Sequence, residues 1–110
     1  MRVGSRGAAR QLLERVRRAL EPVLGQRLRG VVLYGSAARG EDRPDSDYDI
    51  MVLVGPPFDA DRDSLLVLRT LYPLRLELDR PLEAMAVNAE SFERAEYSLY
   101  RNAREEGIRV

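Results

Sequence analysis

Two short apolar runs constrain the fold of this 110-residue chain more than any other feature. The first, Val31–Tyr34, is followed at once by Gly35 and Ser36. The second, Ile50–Val54, completes a predicted strand over Tyr48–Val54, which stops at Gly55-Pro56-Pro57. Apolar runs of this length between turn residues indicate buried β-strands. We therefore expect a small central sheet.

Helical periodicity precedes and follows these runs. Apolar residues recur every three or four positions in Gln11–Leu24, which predicts an amphipathic helix that Pro22 should end or kink near Leu20. Acidic residues before Leu65–Leu71 mark the start of a second helix, closed by Pro73; these are Asp59, Asp61 and Asp63.

The last third of the chain predicts one more strand and one more helix. Leu74–Asp79 alternates apolar and charged residues, which favours a half-exposed strand, and Leu82–Val87 reads as the third core strand. Asn88 is a candidate cap for a helix from Ala89 to about Glu106, ended by Gly107. The order α-β-β-α-β-α predicts one α/β (α+β) domain over residues 1–110.

The residue types that the chain lacks narrow its chemistry. It has no His and no Cys, which excludes a Ser-His-Asp triad, a cysteine nucleophile and Cys/His zinc sites. Eighteen basic residues balance eighteen acidic ones, so general nucleic-acid binding is not expected. The longest apolar run, Ile50–Val54, cannot span a membrane, and no secretory signal is visible, so we expect a cytoplasmic protein.

Asp47 and Asp49 are the strongest candidates for a chemical role. They stand two residues apart on the second predicted strand, so their side chains should share a face. Carboxylates this close repel each other unless a cation lies between them, and such oxygen ligands suit Mg²⁺ or Mn²⁺. A solvated turn is the plain alternative, but Asp49 leads directly into Ile50–Val54, where unpaired charge is costly.

Gly35 and Ser36 form a candidate phosphate site. They lie between a strand and Ser36–Gly40, which can form about one helical turn whose free N–H groups favour an anion. A P-loop is excluded because Glu41 stands where that motif requires lysine. The polar loop Glu41–Ser46 then leads to the two carboxylates. A phosphate site beside two carboxylates suits metal-assisted nucleotidyl transfer.

The spacing of these residues resembles a known signature. Gly35-Ser36, ten further residues and Asp47-Tyr48-Asp49 resemble the G-S-x10-D-x-D pattern of DNA polymerase β-like nucleotidyltransferases. Ala38-Arg39-Gly40 extends the likeness to the minimal nucleotidyltransferase (MNT) group, and Val87–Glu93 and Arg101–Gly107 are more weakly similar to its later segments. The resemblance implies a polymerase β-like palm, a small mixed sheet flanked by helices.

The same resemblance implies a third carboxylate on the next core strand. Glu83 occupies the matching position, where the family usually has Asp, and Glu77 and Asp79 remain alternatives. The implied site comprises the catalytic and metal-binding carboxylates Asp47, Asp49 and Glu83 and the nucleotide-binding residues Gly35, Ser36 and Arg39.

The implied reaction is transfer of a nucleotidyl group from a nucleoside triphosphate, most simply ATP, with Mg²⁺ or Mn²⁺. Attack at the α-phosphorus would release pyrophosphate, and the acceptor would bind in trans. MNT proteins commonly act as antitoxins of HEPN-domain toxins, which they can adenylylate, so a toxin of that type is the expected partner. Two alternatives stay open: a non-catalytic partner-binding module on the same fold, and an antibiotic-type, small-molecule nucleotidyltransferase acting as a dimer.

Overall fold

The computed structural model describes residues 6–39 and 47–110. Within these residues four helices and four strands follow one another. They are α1 (Arg6–Leu24), a 3₁₀ turn (Gly25–Arg27), β1 (Leu28–Tyr34), β2 (Tyr48–Val54), α2 (Ala60–Arg75), β3 (Leu82–Asn88), α3 (Ala89–Glu93), α4 (Ser98–Glu106) and β4 (Ile108–Arg109).

The strands form one mixed sheet in the order β3-β2-β1-β4. β1 is antiparallel to both β2 and β4, whereas β2 and β3 are parallel. Parallel neighbours need a long crossover connection, and α2 provides it between β2 and β3. Because β1 and β2 lie inside the sheet, the α/β prediction and its three core strands are confirmed.

The sheet separates two apolar cores. Side chains of Leu33, Ile50 and Val52 pack on one face against α1 and α2. Those of Met51 and Leu53 point the other way and pack with residues of α3 and α4. Both faces of the central strands are thus buried, and this explains why their sequences are continuous rather than alternating apolar runs.

Neither helix ends where a proline led us to expect an end. α1 continues through Pro22 to Leu24, and α2 continues through Pro73 to Arg75. Both prolines lie on the exposed side and interrupt only the end of a helix, while the buried side chains of Leu24 and Leu74 hold the final turns on the core. Burial therefore outweighs the loss of a backbone hydrogen bond.

The prediction of a strand over Leu74–Asp79 was also wrong. The segment completes α2 and continues as turns, with the N–H of Glu77 donating to the carbonyl of Leu74 at 3.0 Å. Alternation over six residues is too short to separate a strand from a helix end.

The predicted final helix is two helices. Asn88 caps α3 by accepting the N–H of Glu90 at 3.0 Å, as expected. α3 ends at Glu93, and Ala95 adopts a left-handed conformation with φ 52° before α4 begins. This turn lets α4 fold back over the sheet, and β4 then adds a short strand that was not predicted.

Candidate active site

A row of three side chains crosses the sheet at the beginning of β2. Tyr34 is the register partner of Asp49, and Asp49 is the partner of Glu83 on the parallel strand β3. Register partners on neighbouring strands point to the same face. Asp47 stands two residues before Asp49, so it belongs to the same face. The structure therefore brings together the three carboxylates that the sequence and its resemblance singled out, and adds a tyrosine.

Negative charge accumulates along this row. Partial burial raises the pKa of Asp49, and the charges of Asp47 and Glu83 raise it further. Burial also raises the pKa of the Tyr34 phenol, followed by the charges of Asp49 and Glu83. Among the described residues no arginine forms an ion pair with any of the three carboxylates. Within the described part of the chain, the row thus has no paired positive charge.

Gly35 lies against this row. Its φ is 79°, a conformation that favours glycine, and a Cβ built on it would lie 2.9 Å from Oδ2 of Asp49. The N–H of Arg39 donates to the carbonyl of Gly35 at 3.3 Å, which closes the single helical turn predicted after the strand. The glycine turn and the carboxylates therefore form one continuous surface. The turn's predicted end at Gly40, and the loop Glu41–Ser46, lie outside the described residues.

Arg39 borders a groove beside the turn. Its guanidinium lies 3.4 Å from Oε2 of Glu106 on α4, an exposed ion pair. The groove between the turn and α4 encloses about 230 Å³ and is lined by Tyr34, Gly35, Arg39, Leu99, Asn102, Ala103 and Glu106. Its position next to Gly35 makes it a candidate space for part of a nucleotide.

The two alternative third carboxylates lie elsewhere. Asp79 accepts the hydroxyl hydrogen of Tyr48 at 2.7 Å, and Tyr48 is fully buried on the face opposite to Asp49. Glu77 pairs with Arg15 of α1 at 3.1 Å. Of the three candidates, only Glu83 adjoins Asp49.

Tyr34 is the member of the row that sequence reasoning missed. It ends β1 directly before Gly35, and its hydroxyl donates to Sδ of Met85 at 3.6 Å. The sequence signal was its position beside the glycine turn, but the register of β1 with β2 was needed to place it beside Asp49.

The carboxylates are the right type of ligand for a divalent metal, but they are not arranged as a complete binding site. All three offer hard oxygen ligands. Burial, followed by the charges of Asp47 and Glu83, raises the pKa of Asp49, and a bound cation would oppose both effects. No group of three or more acidic side chains in residues 6–39 and 47–110 is arranged closely enough to hold a metal alone. Mg²⁺ does not require such a cage, because it commonly binds one or two carboxylates together with substrate phosphates.

Comparison with protein families shows the family to which the chain belongs. The family model described as the nucleotidyltransferase domain matches residues 9–110. The chain belongs to this family. A comparison with curated proteins found no match. The matched range includes the glycine turn, the carboxylate row and every described strand of this nucleotidyltransferase domain.

Family membership also accounts for the architecture. The four-stranded mixed sheet flanked by helices is that of a polymerase β-like nucleotidyltransferase, as the resemblance implied. The domain's family supports nucleotidyl transfer and a nucleoside triphosphate as substrate. None of the helices in the described ranges has the length and apolar character that crossing a membrane demands.

Proposed function

We propose that this domain transfers AMP from ATP, with Mg²⁺, to a hydroxyl group of an acceptor that binds in trans, in the cytoplasm. The observation that supports this most strongly is the row formed by Asp49 and Glu83, with Asp47 on the same face and Gly35 packed against Asp49. Carboxylates and a glycine turn are the two parts that metal-assisted nucleotidyl transfer needs side by side.

Each group has a defined task in this proposal. Asp47, Asp49 and Glu83 would hold the metal, which would neutralise charge on the phosphates and orient them. The turn at Gly35 and Ser36 receives phosphate oxygens on its N–H groups. The acceptor oxygen bonds to the α-phosphorus, the bond from that phosphorus to pyrophosphate breaks, and the hydroxyl proton passes to a site carboxylate.

Arg39 completes the phosphate side of the site. Its ion pair with Glu106 is exposed and long, at 3.4 Å, and such pairs contribute little to stability. Guanidinium groups bind phosphate oxygens through charge-assisted hydrogen bonds, so we place Arg39 beside the triphosphate tail.

An acceptor in trans fits the openness of the site. Glu83 is exposed, and Met85 beside it is 38% exposed, so the β3 side of the row is accessible to a large molecule. The MNT-like motif around Gly35 and Arg39 favours a protein acceptor, namely a HEPN-type toxin. The alternative function is that of an antitoxin that binds such a toxin without catalysis. By the same resemblance Glu83 stands where Asp is usual, and this substitution is the observation that favours the alternative.

Labelling distinguishes these functions. The protein is incubated with Mg²⁺ and ATP labelled at the α-phosphate in a lysate of its native host, beside an Asp47→Asn/Asp49→Asn double variant. A labelled protein band that requires the intact carboxylates supports the proposal and provides the acceptor for identification. Label in a small molecule would indicate the antibiotic-type enzyme, and no label together with no Mg-ATP binding would leave the binding module.

A further inference from the structure

α2 has an apolar stripe that nothing in the described structure covers. Leu65, Leu68 and Tyr72 are 46%, 47% and 56% exposed, and Leu76, just past the helix, is 70% exposed. The first three are separated by three and four residues, so they follow one line along the helix surface.

This stripe is distinct from the face that α2 buries. Val67, Leu71 and Leu74 are the apolar side chains that pack in the core with α1 and the sheet. At about 100° per residue, the exposed stripe points about 125° away from these three around the helix axis. α2 is therefore apolar on two sides, whereas a surface helix of a monomer normally has one apolar side.

The stripe has the spacing of a two-helix seam with charged ends. Asp61, Leu65, Leu68, Tyr72 and Arg75 are separated by four, three, four and three residues, the pattern along which two helices pair. Asp61 and Arg75 each stand seven residues from Leu68, one at each end. Neither forms an ion pair within the described part of the chain.

The charges at the ends of the stripe favour a second copy of α2 as the partner, in one orientation. If a second copy of α2 packs antiparallel with Leu68 opposite Leu68, Asp61 of each copy faces Arg75 of the other. A parallel pair would instead place Asp61 against Asp61 and Arg75 against Arg75, which is repulsive. The stripe is thus complementary to itself in one orientation, as a two-fold interface requires.

We propose that two copies of this chain associate through α2 in an antiparallel pair whose two-fold axis passes at Leu68. α2 packs on the face of the sheet opposite to Asp49 and Glu83. The association therefore leaves both candidate active sites open, and it does not depend on the proposed function.

Cysteine cross-linking tests the geometry, because the chain has no natural cysteine. Leu68→Cys should form a disulfide-linked dimer under mild oxidation. Leu65→Cys is the matched control, since antiparallel pairing places Leu65 opposite position 71 and separates the two copies of residue 65 by about 9 Å along the axis. Cross-linking of Leu65→Cys as readily as Leu68→Cys would indicate parallel or non-specific contact and overturn the proposal.

Charge reversal tests the pairing of the ends. The mass of the wild-type chain, measured by sedimentation over rising protein concentration, should approach twice 12.5 kDa. Asp61→Arg and Arg75→Asp should each shift the chain to the monomer mass, and the double variant should restore the dimer. A wild-type monomer at every concentration up to about 1 mM, or a monomeric double variant, would overturn the proposal. The proposal would also be overturned if the stripe became protected from solvent only after a different protein was added.

Discussion

Replacing Gly35 with Ala tests how the glycine turn and the carboxylate row depend on each other. The φ of 79° at Gly35 disfavours any side chain, and the new Cβ would lie 2.9 Å from Oδ2 of Asp49. The first effect is a backbone cost of about 1–2 kcal/mol. The second forces the Asp49 carboxylate to move. This costs little folding stability because a side-chain oxygen can rotate away, but it should lower activity.

Gly25 provides the matched control. Its φ is 56°, and a Cβ there would meet nothing within 4 Å. Gly25→Ala therefore has the backbone cost without the contact. We expect both variants to melt lower by a similar amount, about 4 °C for each kcal/mol in a chain of this size.

Activity should separate the two variants. Displacing a metal-binding carboxylate by about 1 Å can lower the rate of a reaction roughly 100-fold. Label transfer from α-phosphate-labelled ATP should fall by about that factor in Gly35→Ala and stay near the wild-type rate in Gly25→Ala. Equal rates in Gly35→Ala and the wild type would refute the reasoning that Gly35 keeps Asp49 in place.

Three further predictions concern ionisable groups. Because the pKa of Asp49 is raised, the folded state loses stability as pH rises through that pKa and the carboxyl group ionises. Asp49→Asn should therefore raise the melting temperature at pH 7 in the presence of a chelator, and it should abolish transfer. A lower melting temperature would contradict this. Burial raises the pKa of Asp63, but hydrogen bonds led by that of Arg27 lower it to about 2. Its contribution to stability, on the order of 2 kcal/mol, should be present above pH 4 and be lost between about pH 4 and pH 2. Urea unfolding across that range should show a smaller loss in Asp63→Asn than in the wild type, and equal losses would contradict it. Tyr48→Phe should lower the free energy of unfolding by about 1 kcal/mol, because the 2.7 Å hydrogen bond to Asp79 is lost. The transfer rate should not change. Thermal unfolding and label transfer, measured on the same preparation, would check both expectations.

The sequence predicted the elements whose signals are local and strong. The predicted strand Tyr48–Val54 matches β2 residue for residue, and Asn88 caps α3 as its side-chain chemistry indicates. Pro22 misled because the cost of a proline is local, whereas burial of Leu24 depends on the packed core. The left-handed Ala95 that divides the last helix has no signal of its own, since glycine or asparagine usually takes that conformation.

The candidate site was predictable where spacing alone decides proximity. Asp47 stands directly before β2 and two residues from Asp49, so strand periodicity predicts that the two share a face. The choice among Glu77, Asp79 and Glu83 depends instead on the register between β2 and β3 and on how α2 ends. That long-range pairing cannot be read from composition or periodicity, and Tyr34 was missed for the same reason.

Comparing Glu83→Gln with Asp79→Asn tests the central claim most directly. Each substitution removes one carboxylate charge, but Glu83 adjoins Asp49, whereas Asp79 binds Tyr48 on the opposite side of the sheet. Label transfer from α-phosphate-labelled ATP with Mg²⁺ should be lost in Glu83→Gln and retained in Asp79→Asn. Full transfer by Glu83→Gln, or loss in Asp79→Asn with its fold intact, would contradict a three-carboxylate site on this row.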